Sequence, residues 1–302
     1  MNGYFNIKKP TGMSSAAVVA VMRRLTGMRR IGHAGTLDPE AAGVLPLMTG
    51  KATRLFDYLT DKEKEYTAVC AFGSATDTQD ATGIVTETGD NWPNLENVKE
   101  AAAKLTGDII QKPSIYSAIK VGGKPLYLRA RRGETADVPE RMVRIDRISI
   151  IRETEDHGFE ISVQCGRGTY IRTLCADLGK LCGCPAHMRS LTRTRSGVFR
   201  IEDAISLEKA TELHENGKLF DYLLPPDYAI GHLPRTDVPV KLEKLVANGA
   251  KLPLTPGTDI LAEGEPVRIY LKDEFWGIAS RQNNQLVWKA QIMPENRPEE
   301  MK

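Results

Sequence analysis

The sequence has few cysteines and no long apolar run. Five cysteines among 302 residues are an odd number, which does not suit a disulfide framework. No window approaches the roughly 18 consecutive apolar residues of a membrane helix. The first residues, MNGYFNIKKP, lack the apolar core of a signal peptide. These absences predict a cytoplasmic protein that does not associate with membranes.

Motifs for common cofactors are also missing. The sequence contains neither a GxxxxGK[ST] phosphate loop nor a GxGxxG fingerprint after a strand. No Ser/His or Cys/His pair stands in a recognisable nucleophile motif. Cys182, Cys184 and His187 lie close together, but zinc needs about four ligands and no second ligand pair appears. We therefore expect free thiols, no metal site and no cofactor.

Positive charge is concentrated locally, although the net charge is only +2. Residues 113–133 contain two Lys and three Arg, residues 182–200 contain four Arg, and neither stretch contains an acid. A third basic group is formed by Arg23, Arg24, Arg29 and Arg30. Any one stretch, taken alone, fits a solvent-exposed face balanced by acids elsewhere as well as it fits a polyanion-binding surface. Three such stretches on a nearly neutral protein favour a nucleic-acid partner.

Local patterns predict individual elements. The segment AAVVAVMRRLT is expected to be a helix that Ser14 or Ser15 caps and Gly27 ends. EYTAVCAFG alternates as a strand with Tyr66, Ala68, Cys70 and Phe72 on one face. Near the C-terminus we expect a helix, VKLEKLVANGA, and short strands such as VRIYL and FWGIAS.

Strands and helices alternate irregularly rather than as βαβ units. This pattern predicts an α+β fold with a large mixed, mainly antiparallel sheet flanked by helices. A chain of 302 residues exceeds the usual size of one domain. The stretch LLPPDYAIGHLP indicates a boundary, so we predict a large domain at 1–232 and a small, mostly β domain at 233–302.

Residues 113–141 are glycine-rich, mostly basic and weakly periodic. We interpret them as a long projecting loop or hairpin and call them the insertion. Long loops of this kind are usually functional or disordered. The positive charge of this segment makes it the first candidate for a contact with a polyanion.

One carboxylate stands out. Asp38 lies in GHAGTLDPEAAGVLPL, where Pro39 restricts the backbone after it and Gly35 permits a close approach before it. Glycoside hydrolysis normally uses two carboxyl groups, but Glu40 is not constrained in the same way and no second acid has a comparable motif. A lone carboxylate can act as nucleophile, base or electrostatic stabiliser.

Four motifs occur in the order KKPTGMSS, GHAGTLDPEAAGVLPL, EYTAV and GRGTYIRTL. Together they resemble the TruB family of pseudouridine synthases, which make pseudouridine at position 55 in the T loop of tRNA. The likeness runs from about residue 3 to residue 200, and residues 233–302 fit the family's PUA-like RNA-binding module less distinctly. The resemblance implies the pseudouridine synthase fold, an isomerase, and a reaction that needs no cofactor.

The resemblance also implies catalytic roles. Asp38 is the nucleophile that attacks C1′ or, in an older proposal, C6, or it promotes elimination at the sugar. An ionised Asp in a closed pocket needs a partner, and Arg172 matches the family's arginine that pairs with it. Tyr66 matches the tyrosine that stacks on the flipped base and assists proton loss at C5. Asp80 falls in another family motif, where it contacts the RNA loop or orders neighbouring residues. We do not count Asp80 among the catalytic residues.

Further positions match residues that bind the substrate. Tyr170 and Leu191 correspond to the uridine pocket, and His33 to the histidine that enters the RNA loop near the vacated stack. Base flipping costs a few kcal/mol, of which stacking on an aromatic side chain such as Tyr66 returns roughly 1–3 kcal/mol. The insertion resembles the family's RNA-gripping segment. Its predicted RNA contacts are Lys120, Lys124, Arg129, Arg131 and Arg132.

The expected partner is the T arm and loop of tRNA. We expect a monomer that requires no protein partner. An alternative function is a tRNA-folding chaperone or RNA-binding module in which catalysis is secondary. A guide-dependent synthase in an RNA–protein particle is a third reading. It is disfavoured because the chain lacks long lysine-rich tails and its insertion can grip RNA directly.

Overall fold

The computed structural model describes residues 1–59, 63–117, 119–130, 132–135 and 137–293. No helix in this part of the chain is long and apolar enough to cross a membrane. The α-helices of the described residues are α1 (Ser15–Thr26), α2 (Leu95–Lys104), α3 (Leu126–Ala130), α4 (Ile171–Cys182), α5 (Leu207–Glu215) and α6 (Glu243–Ala247). Short 3₁₀-helices span Gly50–Tyr58, Leu219–Tyr222, Tyr228–Ile230 and Val240–Leu242.

Strands make up most of the regular structure. In chain order, the strands of the described residues are β1 (Gly3–Lys9), β2 (Ile31–His33), β3 (Ala42–Thr49), β4 (Lys64–Phe72), β5 (Ser74–Thr76), β6 (Val85–Thr88), β7 (Gly107–Gln111), β8 (Lys120–Val121), β9 (Lys124–Pro125), β10 (Arg141–Glu153), β11 (Gly158–Cys165), β12 (Ala186–Ser196), β13 (Phe199–Arg200), β14 (Ile205–Ser206), β15 (Arg235–Asp237), β16 (Leu252–Pro253), β17 (Pro266–Leu271), β18 (Glu274–Gln282) and β19 (Gln285–Gln291).

The large sheet contains ten strands in the order β14-β1-β3-β12-β4-β11-β10-β7, with β2 added to β3 and β13 added to β12. Its pairs are antiparallel except for β1 with β14 and β3 with β12. The predicted α+β fold with a mixed, mainly antiparallel sheet is therefore confirmed. The parallel pair of β3 with β12 matters for the site, because it brings β12 beside the strand that follows Asp38.

Local sequence explains the first helix well. The Ser14 hydroxyl accepts a hydrogen bond from the Ala17 amide, and the helix ends where Gly27 adopts a φ of 69°. Both features match the predicted cap and stop. The buried face of α1, which includes Val18 and Met22, packs against β1 and β3 in one apolar cluster.

The alternation predicted for EYTAVCAFG is also confirmed. Tyr66, Ala68, Cys70 and Phe72 are buried in one cluster together with the apolar face of α4. Strand β4 pairs on one side with β11 and on the other with β12, antiparallel in both cases. Helix α4 therefore lies across the centre of the sheet, with its first turn next to Tyr66.

The C-terminal sheet has five strands in the order β15-β17-β18-β19-β16. It contains the predicted strands VRIYL and FWGIAS, whereas the predicted helix VKLEKLVANGA is a 3₁₀ turn followed by the short α6. Leu55 of the first 3₁₀-helix packs with Ile230, Tyr270 and Ile278. The domain division at residue 232 stays a prediction, since side chains from both sides of it share this cluster.

Candidate active site

A cavity of about 210 Å³ opens beside Asp38. Four separate segments line it: the loop before β3, strand β4, the start of α4 and strand β12. Among its lining residues are Asp38, Tyr66, Tyr170, Arg172 and Leu191. The fold thus brings five of the six residues predicted for catalysis and uridine binding to one place.

Arg172 is the enclosed member of an ion pair. Its Nε lies 3.1 Å from Asp38 Oδ2, and the side chain of Arg172 is 7% exposed while that of Asp38 is 43% exposed. The expectation of a closed pocket around Asp38 was therefore wrong, because the carboxylate faces solvent and only the guanidinium is buried. A charge-assisted hydrogen bond from a fixed donor still restricts the direction of the carboxylate.

The remaining nitrogens of Arg172 are also bonded. Nη1 donates to the Thr78 carbonyl at 3.0 Å and lies 3.4 Å from Asp80 Oδ2, while Nη2 donates to the Tyr116 carbonyl at 2.9 Å. Asp80 is thus a second acid on the same guanidinium, which agrees with the predicted ordering of neighbours. A guanidinium stays charged when it is buried, and pairing its donors in this way offsets the free-energy cost of removing that charge from water.

Lys9, which the sequence did not single out, supports the loop after Asp38. Its ammonium group donates to the carbonyls of Pro10 at 2.8 Å and Pro39 at 2.9 Å, and also to that of Met13. The side chain is fully buried. Burial lowers the pKa of Lys9 to about 8, opposed by the charges of nearby acids. The KKPTGMSS motif therefore supplies a cation that holds the backbone next to Asp38.

Ser15 holds the other side of the same loop. Its hydroxyl donates to the Leu37 carbonyl at 3.0 Å and accepts from the Leu37 amide at 2.9 Å. Both residues are buried. The two serines of the motif thus have separate tasks, since Ser14 caps α1 and Ser15 fixes the residue before Asp38.

Arg193 supports the loop before Asp38 from the interior of the protein. Its position contradicts part of the sequence interpretation. Its guanidinium is fully buried and donates to the carbonyls of Val44 at 2.7 Å, Gly35 at 3.2 Å and Thr36 at 3.5 Å. Gly35 has a φ of 134°, a conformation that favours glycine. The stretch 182–200 seemed to be part of a basic surface, but its central arginine is an internal brace.

Two other arginines of that stretch are engaged in ion pairs. Arg189 pairs with Asp156, and Arg195 lies 3.3 Å from Glu63 and 3.4 Å from Glu65. A stretch of sequence without acids therefore does not have to form an unpaired basic surface, because acids from other parts of the chain pair with its arginines. The stretch is therefore not one continuous basic surface, and polyanion binding by its exposed residues, Arg189 and Arg200, stays a prediction.

The aromatic walls are neutral side chains. Tyr66 is buried, and burial raises its pKa although the charge of Arg193 opposes the shift. Burial likewise raises the pKa of the half-buried Tyr170. Leu191 is buried on β12, opposite Ala68 of β4, and lines the same cavity as Tyr66. A base entering the cavity would meet two phenol rings and a leucine side chain.

His33 does not line this cavity. It is the last residue of β2 and is half-buried, and its Nδ1 has no hydrogen-bond partner among the described residues. Burial, helped by the charge of Arg193, lowers the pKa of His33. The imidazole is therefore neutral at neutral pH.

The insertion forms a small β8–β9 hairpin followed by α3. Arg129 donates to the Val121 carbonyl at 3.2 Å and so braces the hairpin. Arg132 is 69% exposed with Glu134 at 3.9 Å, and its guanidinium is accessible to a partner. The side chains of the other predicted RNA contacts lie outside the described part of the chain: Lys120, Lys124 and Arg131.

The cysteines form no disulfides. All five cysteines are free thiols, and four of them are buried. Within the part of the chain that the structure describes, no group of three or more His, Cys, Asp and Glu side chains is arranged to hold a metal ion.

Family models match most of the chain. Residues 23–171 match the family described as TruB family pseudouridylate synthase (N terminal domain), and residues 172–231 match the tRNA pseudouridylate synthase B C-terminal domain. The first match contains Asp38 and Tyr66, and the second begins at Arg172.

Individual relatives agree with the family models. A tRNA pseudouridine synthase B of Bacillus licheniformis is 41% identical over 263 residues, covering 85% of each chain. That of Staphylococcus haemolyticus is 43% identical over 258 residues, covering 83% of this chain and 85% of its own.

Solved structures resemble the whole chain. A chain of a Cbf5-Nop10-Gar1 complex aligns with a TM-score of 0.73 and 26% identity, over 97% of this chain and 86% of that one. A chain of an H/ACA RNP bound to a substrate RNA containing 2′-deoxyuridine gives a TM-score of 0.72 and 25% identity, with the same coverage. This likeness confirms the fold that the sequence motifs predicted.

Proposed function

Since the chain belongs to the TruB family of tRNA pseudouridine synthases, we propose that it converts uridine to pseudouridine at position 55 in the T loop of tRNA. The reaction is an isomerisation. The C1′–N1 bond breaks, the uracil turns within the site, C5 bonds to C1′, the C5 proton leaves and N1 gains a proton. No atom is gained or lost overall, so the residues of the cavity carry the chemistry.

Asp38 is the nucleophile of this proposal. The observation that carries it is the 3.1 Å contact of its carboxylate with a buried guanidinium at the mouth of a cavity with room for one base. Arg172 holds the carboxylate in one direction, while Lys9, Ser15 and Arg193 hold the backbone on which it stands. Accurate aim matters, since small misplacements of a reacting group reduce rates by about 10²-fold.

The uridine is flipped out of the T loop into the cavity. Tyr66 stacks on the base, and Tyr170 and Leu191 line the same cavity. Because burial raises the pKa of Tyr66, its hydroxyl stays protonated and can donate a hydrogen bond to the turning base. Neutral His33, at the end of β2, enters the space that the uridine leaves.

The RNA arm is held outside the cavity. The insertion, residues 113–141, grips the T arm through its Lys and Arg side chains, of which Arg132 is exposed. Phosphate contacts of this kind position a structured RNA, and its shape selects it. Residues 233–302 form a PUA-like accessory domain that extends the RNA-binding surface.

The isolated chain acts without a protein partner. The solved relatives belong to assemblies, one with Nop10 and Gar1 and one with a substrate RNA. In our proposal, the insertion lets this chain bind bare tRNA by itself as a monomer. Turnover of an unmodified tRNA transcript by the purified protein, together with its mass by light scattering, tests both statements.

Tritium release is the decisive experiment. An unmodified tRNA transcript carrying uridine tritiated at C5 is incubated with the wild type, Asp38→Asn and Glu40→Gln. The last variant changes an exposed acid two residues away. We expect release by the wild type and Glu40→Gln, mapped to the T loop, and none by Asp38→Asn, whose RNA affinity stays within about tenfold.

Other outcomes overturn separate parts of the proposal. Release outside the T loop contradicts the substrate position, and release by Asp38→Asn removes the nucleophile. No release by any protein contradicts the isomerase activity on bare tRNA. If Asp38→Asn still accelerates the refolding of misfolded tRNA, the chaperone function exists independently of catalysis.

A further inference from the structure

Gln111 makes a contact that the reaction does not explain. It is the last residue of β7 and is fully buried. Its Oε1 accepts from the Tyr170 amide at 3.0 Å, and its Nε2 donates to the Tyr170 carbonyl at 3.2 Å. One amide side chain therefore satisfies both backbone groups of a residue 59 positions away. A buried Gln is satisfied only by such specific partners.

This contact holds the residue at which α4 begins. Tyr170 is the N-cap of α4, and its own side chain makes no capping hydrogen bond. The first helical bond runs from the Leu174 amide to the Tyr170 carbonyl. Gln111 thus fixes the point from which α4 begins, two residues before Arg172. Of the N–H groups at a helix start that have no acceptor within the helix, Gln111 binds that of Tyr170.

Gln111 also stands at the root of the insertion. Its cross-strand partner is Arg141, the last residue of the insertion. The Arg141 guanidinium carbon lies 5.7 Å from the centroid of the Tyr170 ring, within reach of a cation–π contact. A methyl group placed on Gly168 would lie only 3.4 Å from Arg141 Nη1. Gln111, two residues before the insertion, therefore holds the backbone of Tyr170, and Arg141, its last residue, lies over the ring.

A third contact links the insertion to the catalytic pair. The Tyr116 carbonyl accepts from Arg172 Nη2 at 2.9 Å, and the Tyr116 hydroxyl donates to Asp77 at 3.3 Å. Any displacement of the insertion relative to the sheet changes the surroundings of Tyr170 and Arg172 together. The insertion is thus attached to the cavity wall as well as to its own hairpin.

We propose that Gln111 is a positioning residue that couples RNA binding by the insertion to the placement of Tyr170 and Arg172. This inference rests on the proposed function in one respect, since it takes the insertion to be an RNA contact. When RNA holds the insertion, the Gln111–Tyr170 contact transmits the constraint to the first turn of α4. Loss of the contact leaves RNA binding intact but loosens the site.

The first test does not depend on activity. Amide hydrogen exchange is measured on peptides covering residues 166–174 in the wild type, Gln111→Met, Gln111→Glu and Gln164→Met. Gln164, on β11, is half-buried and points to the opposite face of the sheet, which makes it a matched control. We expect at least about tenfold faster exchange of the Tyr170 amide in Gln111→Met and no change in Gln164→Met.

Gln111→Glu tests whether both hydrogen bonds can be restored. At this fully buried position its carboxyl group keeps its proton, so it can accept from the Tyr170 amide and donate to the Tyr170 carbonyl, and protection of the amide is retained. If Gln111→Met does not fold, Gln111→Leu takes its place. Unchanged exchange of the Tyr170 amide in folded Gln111→Met overturns the proposal, whatever the protein does to tRNA.

The second test measures the coupling itself. Single-turnover rates at saturating tRNA are compared for the wild type, Arg132→Ala, Gln111→Met and the double variant. We expect Gln111→Met to lower the rate at least about tenfold while the dissociation constant for tRNA changes less than about threefold. Arg132→Ala should lower the rate in the wild-type background but not in Gln111→Met, because the transmitting contact is already lost.

A merely structural role of Gln111 gives a different result. The two substitutions would then reduce the rate by independent factors, and their product would describe the double variant. That outcome contradicts coupling. A wild type that binds tRNA but does not turn it over would contradict the proposed function instead, and the exchange experiment would still decide the role of Gln111.

Discussion

The ammonium group of Lys9 donates a hydrogen bond of 2.9 Å to the carbonyl oxygen of Pro39, the residue directly after Asp38. The same group bonds the carbonyls of Pro10 and Met13. An ammonium has three donors, one for each of these acceptors, whereas a neutral amine has two. The loop that carries Asp38 therefore depends on the protonation state of a buried lysine.

Activity and stability should respond to pH in opposite directions. The pKa of Lys9 is about 8 in the folded protein and 10.5 in the unfolded chain. The unfolded state binds more protons between these values, so the contribution of Lys9 to the free energy of unfolding rises with pH. Over the same window Lys9 loses a donor, and we expect the single-turnover rate to fall by roughly tenfold.

Lys9→Met provides the control for this prediction. The variant should be slow at every pH and should lack both trends. Comparing its rate profile with that of the wild type also corrects for ionisation of the RNA bases. A wild-type rate that is flat from pH 7.5 to pH 9 relative to Lys9→Met would contradict the role of the ammonium.

The two adjacent serines should separate stability from catalysis. Ser15→Ala removes both buried hydrogen bonds to Leu37, which should lower the free energy of unfolding by about 1–3 kcal/mol. It should also reduce the rate at least about tenfold. Ser14→Ala removes only a helix cap and should lower stability by about 1 kcal/mol with an unchanged rate. Equal rate losses in both variants would contradict this division.

Asp38 and Asp80, the two acids that pair with Arg172, should also differ in their effects on stability and on catalysis. Asp80 is 13% exposed and also accepts hydrogen bonds from Thr78 and Thr82. Asp80→Asn should lower the free energy of unfolding by about 1–3 kcal/mol and the rate by about 10–100-fold. Asp38→Asn should abolish turnover with little change in stability, because its carboxylate faces solvent. Chemical denaturation and tritium release measure the two effects.

The salt dependence of binding should identify the RNA contact of the insertion. If exposed Arg132 contacts a phosphate, Arg132→Ala should weaken binding and reduce the slope of log affinity against log salt by about 0.7–0.9. Lys99→Ala is a matched control, because this exposed lysine of α2 pairs with Glu96 and lies outside the insertion. An unchanged slope in Arg132→Ala would place the RNA elsewhere.

Local signals predicted the fold well. The cap at Ser14, the stop at Gly27 and the alternation around Tyr66 depend on residues within a few positions of each other, and the structure contains all three. Asp38 and Arg172 are far apart in the chain, and the residues alone offered no reason to pair them. Only the likeness of whole motifs to a known family joined them.

The supports of the site were harder to predict. Arg193 stood among other basic residues, and composition cannot distinguish a buried guanidinium from an exposed one. Lys9 appeared to end a strand, and one of its acceptors, the Pro39 carbonyl, lies 30 positions away in the chain. Gln111 did leave a clue, since it occupies an inward-facing position of β7 where an apolar residue is expected. A polar residue at such a position needs buried partners.

The parallel pairing of β3 with β12 also affects how the protein is made. Thr192 and Arg193 lie beside Ala42 and Gly43, and Arg193 bonds Gly35 across 158 positions of the chain. On the ribosome, the Asp38 motif therefore emerges long before the strand that shapes it. A nascent chain that ends before β12 contains the whole motif without its brace. Unfinished or truncated copies should therefore be inert towards RNA chemistry, and the cell obtains its first working site only when most of the chain has been synthesised.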